Sequence, residues 1–141
     1  MAITTSKISA LVGEPYFSRG QDYFHKGMIF ITSMGDKEIT GKALGTDVYT
    51  TSLHLERRSL DGRCSCPAFA EIGPCKHMAA LGLAWQTEKK GGYEPSEEIS
   101  DVISEYDEKK KVLRKASKAE LIEAIIDISY NYPEILDQFE E

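Results

Sequence analysis

Polar and apolar positions alternate most regularly between Val48 and Glu56. Tyr49, Thr51, Leu53 and Leu55 share one face of that run, and Val48, Thr50, Ser52 and His54 share the other. A period of two is the mark of a half-buried antiparallel strand. Two strand-like runs precede it, MIFITSM over 28–34 and EITGKAL over 38–44. Gly35-Asp36 and Gly45-Thr46-Asp47 supply turn residues between the runs. The pattern predicts a three-stranded meander. Asp61-Gly62 reads as a further turn, leading to Cys64.

Elsewhere the period lengthens to that of a helix. Tyr16, Phe17, Tyr23 and Phe24 can share a face over 14–26, with Pro15 suited to the first helical position and Gly27 to the position just past the end. Gly20 lies inside that run as an unfavourable helix residue. A shorter helix is expected around 7–11. Over 76–85, Met78, Leu81 and Trp85 recur on one face of a mostly apolar stretch. Ser96 is placed to cap a helix bearing Ile99, Val102, Ile103 and Tyr106, which the charged run 107–111 extends or ends. Ser117 with Glu120 is a capping-box pair for a last helix striped by Leu121, Ile122, Ile125, Ile126 and Ser129. Pro133 opens a final turn.

Three divisions follow: residues 1–89 with the strands and cysteines, a linker over 90–95 (KGGYEP), and an acidic helical segment over 96–141. The fold class expected is α+β, a small antiparallel β-meander flanked by an N-terminal helix and C-terminal helices. The chain is 141 residues long, enough for a modest core. Its charge of -6 is uneven. Residues 1–89 hold 10 basic and 9 acidic side chains, whereas residues 90–141 hold 7 and 14. The acidity thus belongs to the C-terminal third. No apolar run reaches the ~20 residues of a membrane-spanning helix, and the N-terminal residues lack the pattern of a secretory signal. A cytoplasmic location, where thiols stay reduced, is the expectation.

All three cysteines fall in one window, CSCPAFAEIGPCKH, residues 64–77. A disulfide would leave one thiol unpaired, and a bridge between Cys64 and Cys66 would close a very tight ring. Chance clustering of small buried hydrophobes fits poorly, because Pro67, Gly73 and Pro74 break the window into a loop. A structural zinc site accounts for more. Cys64 and Cys66 lie two apart on an extended segment, so both sulfurs point to one side. Cys75 before a helix and His77 in its first turn supply the second pair. Four protein ligands close the coordination sphere, which marks a structural ion.

C-x-C, a spacer, then C-x-H, with Pro67 after the second Cys and the tripeptide Cys75-Lys76-His77, resembles the SWIM-type zinc finger. Residues 19–29 and 117–136 are similar to segments flanking that finger in some members. The resemblance implies a small ββα unit, one Zn2+ on Cys64, Cys66, Cys75 and His77, and a role in binding DNA or protein. SWIM fingers occur in helicases, transposases, recombination accessory proteins and some ubiquitin-pathway proteins. This chain has no phosphate-binding G-x-x-x-x-G-K-[ST] loop.

The expected function is therefore a non-catalytic zinc module that binds DNA as an accessory part of a DNA transaction. The alternative is an adaptor that docks on a partner protein. The DNA reading would use Arg57, Arg58, Arg63 and Lys76 on phosphates, with moderate, salt-sensitive affinity. Lys76 and Arg63 have a plainer use, balancing the -1 charge of three thiolates around Zn2+. No small-molecule substrate or membrane partner is expected. His25 and His54 have no companion acid or nucleophile set by a motif.

Overall fold

A computed structural model describes residues 2–140. They divide into two units, residues 1–102 and 103–141. The first begins with α1 (Thr5–Val12) and α2 (Tyr16–His25). Strands β1 (Ile29–Met34), β2 (Glu38–Leu44), β3 (Val48–Leu55) and β4 (Leu60–Cys64) follow, then α3 (Pro67–Ile72) and α4 (Lys76–Lys89). Helix α5 (Glu97–Arg114) starts in the first unit and ends in the second. The second unit continues with α6 (Lys118–Ser129) and a 3-10 helix, Pro133–Phe139.

The architecture is α+β, but the meander has four strands, in the order β1-β2-β3-β4, all antiparallel. Asp61-Gly62 is not a turn. It lies within β4, where Gly62 pairs with Leu53 and Asp61 with His54. A Cβ at Gly62 would run into the Ser52 carbonyl oxygen, so glycine here marks a close strand approach. The turn sits earlier, closed by the Glu56 N–H donating to the Ser59 carbonyl at 2.9 Å.

One face of the sheet packs on α4, whose other side meets α1 and α2. Ile29, Ile39, Ala43 and Leu53 point inward. Helix α4 is buried nearly all round, from His77 through Leu81 to Trp85, as befits a central helix. Small residues permit this. Gly20 of α2 faces Ala79, and a Cβ there would stand 2.5 Å from the Ala79 Cβ. The glycine that weakens α2 as a helix is what lets it approach α4.

Residues 90–95 include Tyr93, whose ring stacks on Phe24 at 5.7 Å and whose hydroxyl donates to the Ile29 carbonyl at 2.6 Å. At the start of α5, the Ile99 N–H donates to Ser96 Oγ at 3.3 Å. In the second unit, α6 packs against the 3-10 helix. Its start is a complete capping box: the Glu120 N–H donates to Ser117 Oγ, and the Ser117 N–H to Glu120 Oε1 at 2.8 Å. Among the described residues no helix is long and apolar enough to cross a membrane.

Candidate metal centre

The ladder between β3 and β4 aims the first pair of sulfurs. Cys64 pairs with Thr51, and Ser65 continues the pairing, its N–H donating to the Thr50 carbonyl at 2.9 Å. Side chains alternate across a strand, so Cys64 and Cys66 turn inward while Arg63 and Ser65 stay exposed. Thr51 is fully buried beside them and donates through Oγ1 to the Arg63 carbonyl at 3.1 Å.

Cys66 also stands at the N-cap of α3, with Pro67 opening the helix. The eight residues between the ligand pairs are therefore a helical turn and not an open loop. Gly73, at φ +86°, stops α3 in a conformation other residues rarely adopt. Pro74 follows, and Cys75 occupies the N-cap of α4 at φ -122° and ψ 175°. His77 lies in the first turn of α4. The partial positive charge of a helix N-terminus favours a thiolate at Cys75.

All four donor atoms lie within 4.8 Å of one another, and all four residues are buried. His77 Nδ1 stands 3.7 Å from both Cys64 Sγ and Cys75 Sγ. A tetrahedral zinc with bonds of about 2.3 Å to sulfur and about 2.0 Å to nitrogen requires edges of about 3.5 Å between sulfur and nitrogen and about 3.8 Å between sulfurs. The donor set therefore fits Zn2+ held by Cys64, Cys66, Cys75 and His77, with Nδ1 as the ligating nitrogen. The three thiols form no disulfide.

The thiols share protons unevenly. A hydrogen bond from Cys75 holds Cys64 well below the usual thiol range, helped by His77 and Cys66 and opposed by burial. The same bond, with burial, pushes Cys75 up, while the Met78 backbone N–H works the other way. As zinc ligands all three thiols would be thiolates, which would remove this conflict.

Two tyrosines enclose the imidazole. Tyr23 meets the His77 ring edge-on at 5.0 Å and Tyr49 lies against it at 5.2 Å. Burial pushes the Tyr23 hydroxyl up, reinforced by Tyr49 and the three cysteines. His77 Nε2 and the Tyr23 hydroxyl are buried with no hydrogen-bond partner. The imidazole is thus held by aromatic packing, without the usual carboxylate or carbonyl acceptor.

The family model of the SWIM zinc finger matches residues 49–86. Over these residues the chain is similar to the SWIM zinc finger. The matched segment runs from β3 through β4 and α3 into α4, with all four donors inside it. The cofactor the finger takes is one structural zinc ion, which Cys64, Cys66, Cys75 and His77 would hold and which would clamp β4 to α4. No curated protein and no solved structure matches the chain with significance.

The basic residues near the finger are dispersed. Lys76 is half-buried, its Nζ 5.5 Å over the Tyr23 ring. Arg63 lies on the opposite face of β4 from Cys64. Arg57 and Arg58 sit exposed in the β3–β4 turn, beyond the five residues of β4. At ~3.3 Å per residue that is on the order of 17 Å from Cys64. Sequence reasoning missed Tyr23, Tyr49 and Thr51 as the shell of the site. Only the inward register of Tyr49 and Thr51 on the third strand hinted at it. The His25 ring lies tilted beside Phe24, and His54 Nε2 meets Glu56 Oε1 at 3.2 Å on the surface.

Proposed function

We propose that the chain is a non-catalytic interaction module, a zinc-clamped scaffold whose C-terminal helices dock on protein. One observation carries this reading. Among the described residues, eleven large hydrophobic side chains are exposed, and nine of them belong to residues 103–141. Exposed apolar surface on that scale marks an interaction site. A photo-crosslinking amino acid at Ile126 tests it in cells. One discrete protein adduct, lost when Ile122 becomes Glu, is expected. Adducts to nucleic acid, or none, would contradict it.

A DNA-binding role has a specific observation of its own. Lys42 and Arg63 stand on the open face of the sheet, Lys42 Nζ donating to Thr50 Oγ1 at 2.7 Å. The spread of Arg57, Arg58 and Lys76 weighs against it. So does the balance of residues 1–102, which hold 11 basic and 13 acidic side chains. Fluorescence anisotropy with single- and double-stranded DNA across a salt series discriminates. Saturable binding that falls with salt, and falls further in the Arg57→Glu, Arg58→Glu variant, would favour DNA.

A further inference from the structure

Charge in the second unit is sharply segregated. Residues 109–118 contain six basic side chains and no acidic one. Residues 119–141 contain seven acidic side chains and no basic one. Each block surrounds an uncovered apolar surface. On α5, Val112 is 66% and Leu113 55% exposed, and together they line a shallow apolar recess with Glu108 and Lys109. On α6, Ile122 is 47% and Ile126 44% exposed, four residues apart on one stripe. Glu123 and Asp127 follow them by one position and line the rim of that stripe. Lys109, Lys110 and Lys115 lie three or four positions from Val112 or Leu113, so they rim the α5 surface in the same way.

Neither surface covers the other within one chain, since both are exposed. Only part of the basic charge is used locally. Lys109 pairs with Glu105 at 3.0 Å and Lys111 with Glu108 at 3.3 Å, while Lys110 lies over the Tyr106 ring at 5.6 Å. Exposed pairs of this kind are weak. Arg114 and Lys115 make no ion pair among the described residues.

We infer that the occupant of these surfaces is a second copy of this chain. The basic apolar end of α5 from one copy lies on the acidic apolar stripe of α6 from the other, and the same contact repeats in reverse. Both complementary surfaces belong to one chain, so a two-fold symmetric pair can make the same contact twice. Apolar burial supplies the attraction, and the opposed charges fix partner and register. The inference rests on the protein-docking reading above and names its partner.

Sedimentation velocity of the zinc-loaded chain over a concentration series, at low and high salt, is the test. A species of twice the 15.8 kDa chain mass is expected, weakening as salt rises. Variant one carries Lys110→Glu, Arg114→Glu and Lys115→Glu. Variant two carries Glu123→Lys and Asp127→Lys. All five positions are exposed, and unchanged far-UV circular dichroism would verify that the helices of the second unit still form. Each variant alone is expected to self-associate at least roughly tenfold more weakly. Their equimolar mixture is expected to regain the double-mass species, because both reciprocal contacts then pair opposite charges. A wild-type chain that stays monomeric at low salt would overturn the inference. So would variants that dimerise as the wild type does, or a mixture that stays monomeric. A monomer that still gives the Ile126 adduct to another protein would leave the docking reading intact, and loss of both would remove both.

Discussion

His77 Nδ1 stands 3.7 Å from Cys64 Sγ across thirteen residues of chain. That contact joins the last strand of the sheet to the first turn of the central helix. A metal held by both residues would fix sheet against helix as well as close a loop.

Zinc removal is expected to unfold the first unit. Structural zinc contributes on the order of 10 kcal/mol in finger peptides, comparable with the whole stability of a small domain. Trp85, the single tryptophan, is fully buried eight residues after His77 on the same helix. Chelation should shift its emission to the red, and His77→Ala should do so without chelator. Unchanged emission after the metal has gone would contradict the clamp.

Acid should release zinc and unfold the chain together. The folded environment holds Cys64 below the ordinary thiol value of 9.0. A group depressed in this way contributes stability that is full above its unfolded value and is lost as pH falls. Cys75, which donates the hydrogen bond to Cys64, has the opposite sign in the metal-free cluster; as zinc ligands both would bind as thiolates, and protons would compete with the metal for them as pH falls. Zinc release followed by a chromogenic chelator and the Trp85 emission shift should coincide on one acid titration. Zinc retained after the emission shift would refute the coupling.

Gly20→Ala should destabilise the protein although alanine is the better helix former. The propensity gain is at most about 1 kcal/mol. The added Cβ would meet the Ala79 Cβ at 2.5 Å and the Lys76 carbonyl at 2.9 Å, and overpacking costs about 1–3 kcal/mol. A lowered urea midpoint is expected, and a raised one would show that α2 moves aside freely.

Helix α6 should lose helicity in acid. The Ser117 backbone N–H, and then its side chain, hold Glu120 below its ordinary carboxylate value of 4.5. Its contribution is present above that value and lost as pH falls through and below it. Circular dichroism of the wild type should decline there, whereas Glu120→Ala should begin lower and stay flat. Equal profiles would show that the capping box carries no weight.

The metal site was legible because its chemistry is written in spacing: two pairs of ligands, each two residues apart, with helix punctuation before Cys75. The capping box at Ser117 was legible for the same local reason. Strand β4 was not. Asp61-Gly62 has the composition of a turn, and only the close approach of Ser52 explains the glycine. Helix α3 was hidden because Pro67 and Gly73-Pro74 resemble loop residues, although a proline at a helix start and a glycine at its end also delimit a short helix. Met78, Leu81 and Trp85 marked one face of α4, but its burial all round was not legible, since Ala79, Ala80, Gly82 and Ala84 carry too little side chain to mark the other faces. The stripes of α5 and α6 were visible, but periodicity records that a face is apolar and not what covers it.

The central claim is a tetrahedral zinc clamp of three sulfurs and one nitrogen. Zinc K-edge X-ray absorption of the purified chain, with metal analysis, tests it most directly. The account predicts one zinc per chain, with three sulfur neighbours at about 2.3 Å and one nitrogen at about 2.0 Å. A coordination shell of oxygen and nitrogen alone, or substoichiometric zinc in a fully folded chain, would contradict it.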